Sequence, residues 1–415
     1  MTRTAALLVQ LQTPLGTWID VGILYNLDVK NWFEFVDDYW AMGDRPILGQ
    51  VFEEKGSAWK PTAHVALPRW FSHLLPEGRL RDAVAAAAHV SKVREFNLIA
   101  RLGLDDLPGA LRLRPATGIT GVVTPPELEE AENQPTESDP LTKFSLAGTQ
   151  LKFSIYRTSA GLTVPVKGQA GNAIAKLPDG RPGFSAIPEA ELACLNLAAS
   201  IGIDVPLRRL EPLSSISGLE DWAARISEPA LIVDRFDRST DDRRVHMEEL
   251  AQILDIPTAR EDAKYLRANF ETVASYVGAL SGVESVGQII ERIVLNILVG
   301  NGDAHLKNWA VLYPNGVTPV LSPLYDVLPT VLYIPSDDMG LKLDGSRKFE
   351  SVRPSSFDAL AERTGYGVGL ARGRVRDAVE RALAHWTELR ELLSSENYAR
   401  LTLRRDSLPI VSGRE

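Results

Sequence analysis

Residues 301 to 308 read Asn-Gly-Asp-Ala-His-Leu-Lys-Asn, and a second acidic residue, Asp326, comes after a short apolar stretch with a turn in its middle. These residue types have a joint chemical use. An amide oxygen from Asn308 and a carboxylate from Asp326 are hard ligands of the kind magnesium takes, one or two from protein and the rest from water and phosphate. A further carboxylate beside them, Asp303, can orient a hydroxyl and accept its proton. The alternative on this stretch alone is a polar loop in which Asp303 and Asn308 satisfy nearby backbone groups.

The elements around the stretch decide whether the three side chains meet. Ile289, Ile290, Ile293, Val294, Ile297 and Leu298 have helical spacing and predict a buried helix, which Asn301-Gly302 is expected to stop through the left-handed conformation glycine tolerates. Trp309 to Tyr313 and Val317 to Leu321 read as two strands around Pro314-Asn315-Gly316, and Asn-Gly between apolar runs is a hairpin signal. A hairpin brings its open ends together, here Asn308 and Asp326. A proton-accepting Asp, an Asn five residues on and a later metal-binding Asp is the order of a phosphoryl-transfer site of the protein-kinase type. The His-Arg that precedes the first Asp in that pattern, and the Phe-Gly that comes after the second, are absent.

Three further stretches bear on phosphate and nucleotide. Phe144-Ser145-Leu146-Ala147-Gly148-Thr149-Gln150-Leu151-Lys152 carries small residues that let backbone amides approach an anion, ahead of a strand from Phe153. An ordinary hairpin entry reads the same way. Lys176 ends an apolar strand, Asn172 to Lys176, where a charge is unusual; it suits either phosphate or a solvent edge. In the helix from Pro188 to Gly202, Glu189 fits as a favourable first-turn acid, and Glu191 is the choice for pairing with Lys176. Ala230 to Arg238 reads as a strand that turns polar, where a hinge that hydrogen-bonds adenine through its backbone would sit.

With 415 residues the chain is expected to hold more than one domain. Its formal net charge of −9 argues against attraction of the whole surface to nucleic acid or anionic membrane. One cysteine, Cys194, excludes a disulfide framework within the chain and reads as a buried structural thiol. No run approaches the roughly 20 apolar residues of a membrane span, and the start reads as no signal peptide, so the expected location is cytoplasmic with no membrane partner. Residues 5–12, 19–25 and 111–114 read as strands, 79–89 and 93–102 as helices, and 30–60 have no clear period. Pro125-Pro126, a Glu run and Asp139-Pro140 mark a linker. Beyond residue 246 helices are expected at 247–254, 261–279, 285–300, 355–364 and 373–394. His64, His73, His89, His246 and His385 lack metal-ligand spacing and read as surface or locally bonded residues. The expected divisions are 1–114, a linker at 115–142, 143–236 and 237–415.

Together the motifs resemble the HipA family of serine/threonine kinases, the toxins of bacterial toxin–antitoxin pairs. The matching stretches are Phe144 to Lys152, Ala175-Lys176, Val233 to Arg238, Asp303 to Asn308 and Ser322-Pro323-Leu324-Tyr325-Asp326, with Phe71 to Gly78 and Pro108-Gly109-Ala110 similar to the family's N-terminal subdomain. The resemblance implies an α+β fold: a two-lobed protein-kinase-like body, with a mixed β-rich N-lobe and an all-helical C-lobe, and an additional N-terminal α/β subdomain. It implies ATP and magnesium as cofactors, Asp303 as proton acceptor, and Asn308 and Asp326 as metal ligands. Lys176 would contact the α/β-phosphates, Ala147, Gly148, Thr149, Gln150, Leu151 and Lys152 would form the phosphate loop, and Asp234, Arg235 and Phe236 the adenine hinge. His305, Leu306, Lys307, Asn308, Tyr325 and Asp326 would complete the nucleotide pocket. Ser145 matches the family's regulatory autophosphorylated serine. The partner implied is a helix-turn-helix antitoxin of HipB type, with DNA reached only through it, and a protein substrate of the family's kind, such as an aminoacyl-tRNA synthetase. Leu151 stands where the family commonly has Glu, and Ala304 where it commonly has Gly. A catalytically weak kinase-fold corepressor and a small-molecule hydroxyl kinase are the alternatives to a protein kinase.

Overall fold

The computed structural model of the chain describes residues 4–87, 90–103, 106–117, 122–123, 151–159, 161–165, 169–239, 241 and 243–412. Ser145 and residues 147–150 of the expected phosphate loop lie outside them, as does His89. The fold is mixed α/β, in two compact units of interleaved sequence. One comprises Met1–Leu177, Glu211–Arg260 and Leu312–Thr318; the other comprises Pro178–Leu210, Glu261–Val311 and Pro319–Glu415.

The first unit holds two sheets. In one, the strands Thr62–His64, Lys30–Phe35, Trp18–Leu27, Thr4–Gln12 and Leu111–Pro115 lie side by side in that order, antiparallel, with Val122–Val123 parallel to Thr4–Gln12. Alternation sets the register: Leu7, Val9 and Leu11 all point into the core. The strand Lys30–Phe35 and the helices Asp37–Ala41 and Gln50–Lys55 lie where the sequence shows no clear period. The reason is Asn31, a polar residue at a core-facing position, whose amide donates to the carbonyl of Ala66 at 2.7 Å and accepts from Asn26 at 2.8 Å. Phe33, Phe52, Phe71 and Trp70 form the aromatic centre of this core.

The second sheet includes Ala230–Asp234, Ala173–Lys176, Lys152–Thr158, Gly161–Thr163 and Ile216–Ser217 in that order. Two buried polar clusters join the elements of residues 1–115 to those of 235–249. In the first, Arg235 binds Asp106 at 2.6 Å and Asp237 at 2.8 Å, and Arg238 binds the same two carboxylates at 3.3 and 2.9 Å. Gly109 donates its N–H to Asp237 at 2.7 Å. Gly109 has a φ of +71°, and a Cβ there would meet Met247 N at 2.9 Å, so Pro108-Gly109-Ala110 needs its glycine for both reasons. In the second cluster the carboxylate of Glu248 accepts from Trp70 Nε1 at 2.8 Å, from Gln50 N at 3.0 Å and from the Tyr313 hydroxyl. His246 is buried too, stacked on Tyr313 with ring centroids 5.5 Å apart and donating Nε2–H to the Leu48 carbonyl at 2.8 Å.

The second unit is mainly helical. Its centre is the helix Glu284–Val299, buried along almost its whole length, which packs against Phe270–Ser281 and Val368–His385. Expected boundaries change where capping chemistry intervenes. The run expected at 261–279 breaks into Ala263–Leu266 and Phe270–Ser281, because Asn269 caps the second helix by accepting from Thr272 N at 2.9 Å. The run expected at 247–254 is a strand, His246–Glu249, and then one turn of helix, Leu250–Ile253. The helix expected at 373–394 is Val368–His385, continued by a 3₁₀ turn, Trp386–Glu391. Cys194 is fully buried in the helix Ile187–Ser200, and burial pushes its thiol well above the usual range. No helix among the described residues is long and apolar enough to cross a membrane.

Glu248 gives the first unit a pH signature. Burial outweighs its three donors and pushes the carboxyl up to about 7 from an ordinary 4.5. The folded chain therefore holds this proton more tightly than the unfolded one, and stability is lost as pH rises from 4.5 through 7. His246, pushed down to about 4 by burial, works in the opposite direction below 6.5, so the parent's own profile mixes the two. Glu248→Gln, which mimics the protonated acid, isolates the first. Relative to the parent, the variant should gain stability on going from about pH 5 to about pH 8, on the order of 3 kcal/mol. Denaturation of both proteins at the two pH values measures it; an offset that does not change with pH would refute the buried-carboxyl assignment.

Candidate functional site

The helix Glu284–Val299 ends at Gly300, not at Gly302. Gly300 has the left-handed φ of +73° and its N–H returns to the Asn296 and Ile297 carbonyls. Gly302 is required for a different reason: a Cβ there would lie 2.0 Å from Asp337 Oδ2. The contact is part of a local network in which Gly302 N donates to Thr330 Oγ1 at 2.7 Å, and the Thr330 hydroxyl bonds Asp337.

Asn301 organises the loop. It is buried, and its amide nitrogen donates to Asn296 Oδ1 at 2.8 Å and towards the Asp326 carbonyl at 3.4 Å. Its amide oxygen accepts from Asp303 N at 3.0 Å. One side chain thus ties the helix end, the residue expected to accept a proton and the residue expected to bind metal. Asp303 itself keeps a half-exposed carboxylate. Oδ1 accepts a short hydrogen bond from the Tyr265 hydroxyl, and His305 Nε2 stands 3.8 Å away. His305 Nδ1 accepts from Lys307 N at 3.3 Å, which leaves Nε2 as the protonated nitrogen of the neutral ring.

Asn308 donates its amide N–H to the Asp303 carbonyl at 2.9 Å. That bond fixes which way the amide faces, so Oδ1 is the atom that the expected ligand role would use. Asp326 lies in the loop 322–326, which is pinned repeatedly: Arg292 donates to the Ser322 carbonyl at 2.7 Å, Leu324 N to Asp204 O at 2.8 Å, and the Tyr325 hydroxyl to Lys307 O at 2.8 Å. Ser322 N donates to Ala310 O at 3.0 Å, so the open end of the expected hairpin closes, although its second strand is only Val320–Leu321. The donors present, one amide oxygen and one carboxylate, fit a magnesium ion that takes its other ligands from phosphate and water. Among the described residues no group of three or more His, Cys, Asp or Glu could hold a metal ion. Leu306 and Lys307 are buried, Leu306 fully. Ala304, too, is buried, and its backbone lies against Gly340, where an added Cβ would come within 2.7 Å.

Of the expected phosphate and hinge residues, Lys152 and Lys176 lie on the second sheet, Asp234 ends the strand Ala230–Asp234, and Arg235 and Phe236 come just beyond it. Lys152 and Lys176 are direct cross-strand partners, so their side chains leave the same face of the sheet, and they are only 8 % and 4 % exposed. Two buried ammonium groups on one face call for anionic partners. Asp234 ends its strand. Arg235 commits its N–H to the Asn172 carbonyl at 2.9 Å and its guanidinium to the Asp106–Asp237 cluster, so its share in a hinge rests on its carbonyl oxygen. In the second unit Glu191 is buried on the helix Ile187–Ser200. Sequence reasoning missed the contacts made by Asn301, Thr330, Arg292 and Tyr265. Only Asn301, next to the motif, carried a local signal.

Among known families, residues 144–386 match the HipA-like C-terminal domain, and residues 18–114 match the HipA N-terminal domain. A protein of Sinorhizobium fredii described as putative kinase Y4dM is 36% identical over 377 residues, 88% of each chain. A second from that organism, putative kinase Y4mE, is 31% identical over 336 residues, 75% of this chain and 76% of its own length. Among solved structures, HipA of Shewanella oneidensis, in a complex with HipB and operator DNA, superposes with a TM-score of 0.69 at 18% identity. The superposition covers 98% of this chain and 96% of that one, so the fold is shared.

Thr330→Val keeps the side chain's shape and removes the acceptor of the Gly302 N–H. A buried donor left unsatisfied costs about 1–3 kcal/mol, so chemical denaturation should show a loss of that size, while Thr330→Ser stays near the parent. Equal stability of Thr330→Val and parent would mean that the Gly302 bond does not hold the loop.

Proposed function

The chain belongs to the HipA family, and from that premise we propose that it is an ATP- and magnesium-dependent protein serine/threonine kinase of a toxin–antitoxin pair, in the two-lobed arrangement of kinases. The observation that carries the reading is the local set on Asn301: Asp303, Asn308 and Asp326 are tied to one another by side-chain and backbone bonds. Asp303 accepts the proton of the acceptor hydroxyl as its oxygen bonds to the γ-phosphorus and the bond to the ADP oxygen breaks. Asn308 Oδ1 and the Asp326 carboxylate hold magnesium, which when bound neutralises charge on the phosphate oxygens. Lys176, with Lys152 beside it, contacts the phosphates, and Glu191 is the partner assigned to Lys176. Residues 147–152 form the phosphate loop, Asp234 to Phe236 the adenine hinge, and His305 to Lys307 with Tyr325 the rest of the nucleotide pocket. The acceptor is a protein hydroxyl, with aminoacyl-tRNA synthetases the substrate class suggested by the family, and the site of action is the cytoplasm. The solved relative's complex with HipB and operator DNA supports a helix-turn-helix antitoxin as partner. The curated relatives' description as putative kinases supports catalysis over a purely corepressor role.

Asp303→Asn should fold as the parent does and lose phosphoryl transfer, by about 10²-fold or more, because an amide cannot take the proton. Asp326→Ala should weaken Mg-ATP binding more than Asp303→Asn does, since a metal ligand acts on the ground-state complex and a base mainly in the transition state. Radiolabel transfer and calorimetry separate the two effects. Transfer by Asp303→Asn within a few-fold of the parent would refute the base; equal nucleotide affinity in the two variants would refute the metal ligand.

Ser145 is proposed as the site at which another copy of the chain switches the enzyme off. A phosphoserine there adds roughly −1.5 to −2 charges beside a loop whose amides are assigned to ATP phosphates. Mass spectrometry after incubation with Mg-ATP should find the phosphate in the parent and not in Asp303→Asn. An inactive full-length copy mixed with a tagged active one should be labelled at Ser145. Transfer to other proteins with Ser145 never modified would remove the switch and leave the kinase assignment standing.

A further inference from the structure

The Asp303 carboxylate is half-exposed, but one of its oxygens is already engaged. Its Oδ1 already receives a hydroxyl hydrogen bond, from Tyr265 on the four-residue helix Ala263–Leu266. A base that takes a proton from an acceptor must first hold that acceptor's O–H within hydrogen-bond reach, and a phenol O–H donating to a carboxylate oxygen satisfies the same geometry. The Tyr265 ring is seated edge-on to His305, with centroids 5.0 Å apart, and that His places Nε2 3.8 Å from the same Oδ1. Lys264 Nζ is 5.5 Å and the Arg347 guanidinium 6.0 Å from the ring. The phenol therefore sits at the base, with cations around its ring.

We propose that the Tyr265 hydroxyl occupies the acceptor-hydroxyl position on Asp303, and that a phosphoryl acceptor binds by displacing it. The inference rests on Asp303 being the base of the kinase reading above. The contact suits displacement. The Asp303 side chain is 51% exposed, the hydrogen bond is solvent-accessible, and the helix that carries Tyr265 is a single turn. A hydrogen bond to a charged group is weaker when exposed to water than when buried, and an incoming hydroxyl on the same oxygen restores it. Tyr265 thereby acts as a specificity element. It holds the Oδ1 position against water, the smallest and most abundant hydroxyl, while an acceptor with further contacts to the protein can displace it.

Water is the probe that needs no knowledge of the natural acceptor. Steady-state ATP hydrolysis should be measured with the purified full chain, alone with Mg-ATP, for the parent, Tyr265→Phe, Asp303→Asn and the double variant. Phe keeps the ring on His305 and removes only the hydroxyl. The expected result is a rise in hydrolysis of about 3- to 10-fold in Tyr265→Phe, equivalent to about 0.7–1.4 kcal/mol, with calorimetric Mg-ATP affinity unchanged and the gain lost in the double variant. Without nucleotide, the ¹⁹F resonance of 3-fluorotyrosine at position 265 should move in Asp303→Ala, because the hydroxyl loses its acceptor. Hydrolysis unchanged or slower in Tyr265→Phe, with ATP still bound, would overturn the proposal and make Tyr265 a residue that positions the base. An unmoved ¹⁹F resonance would also overturn it. If neither parent nor variant binds or hydrolyses Mg-ATP, the kinase reading itself fails and this inference with it, a result distinct from the other two.

Discussion

Two arginines and two aspartates, removed almost completely from water, set the frame of the first unit. Burial alone would raise the Asp237 carboxyl, but the Arg235 and Arg238 guanidinium groups outweigh it and hold it well below the usual carboxylate range. The cluster is balanced in formal charge, and each carboxylate meets more than one donor. Both conditions are needed: a buried ion pair with one member removed leaves an uncompensated charge at a cost of about 3–5 kcal/mol. Arg244, close by, is pushed down to about 9 by burial and then by repulsion from Arg238. The cluster joins residue 106 to residues 235–238, across most of the unit's sequence, and it sits directly after the strand that ends at Asp234. The backbone proposed to meet adenine is therefore anchored by the side-chain ions of this cluster.

In the second unit the equivalent anchor is neutral. Asn301 uses its amide as both donor and acceptor, and both ends are occupied. An aspartate there would lose the donor to Asn296, and a serine would reach only one partner. Buried amides of this kind fix geometry without adding charge to the loop that carries the proposed base and metal ligand. Gly300 and Gly302 are constrained just as locally, one by its φ and the other by the space that Asp337 takes up.

How far each interaction reaches along the chain decides whether the sequence made it legible. The apolar spacing of 289–298 marks a buried helix, and the spacing of Asp303 and Asn308 anticipates two residues that the structure joins by a hydrogen bond, because both features depend on neighbours within a few residues. The helix stop was placed at Gly302, two residues too late, since Gly300 and Gly302 look alike until Val331 and Asp337 are placed beside them. The strand Lys30–Phe35 was hidden by Asn31, whose partners are a distant backbone carbonyl and another asparagine. Nothing within about ten residues of Tyr265 points to Asp303, and no pattern in the chain sets Lys152 opposite Lys176. That register comes from strand pairing between elements that are separated in sequence. Local chemistry was readable; contacts made by tertiary packing were not.

Asp326 shows how little a single conformational oddity proves. It has a φ of +53°, in the left-handed region that costs a non-glycine residue energy. Strain at a candidate metal ligand invites a functional reading. Yet Asp28, Asp255 and Asp344 adopt the same region elsewhere in the chain, and aspartate is among the residues that tolerate it best. The conformation is therefore weak evidence by itself. The stronger evidence is the density of restraint around it: the Ser322 carbonyl held by Arg292, Leu324 by Asp204, Tyr325 by Lys307, and the Asp326 carbonyl facing Asn301. Arg292 is itself buried, and burial pushes its guanidinium down to about 10. A turn that needed only to reverse the chain would not require a buried arginine to hold one carbonyl. The restraints fix where the carboxylate begins, and a magnesium ligand needs that more than it needs any particular φ.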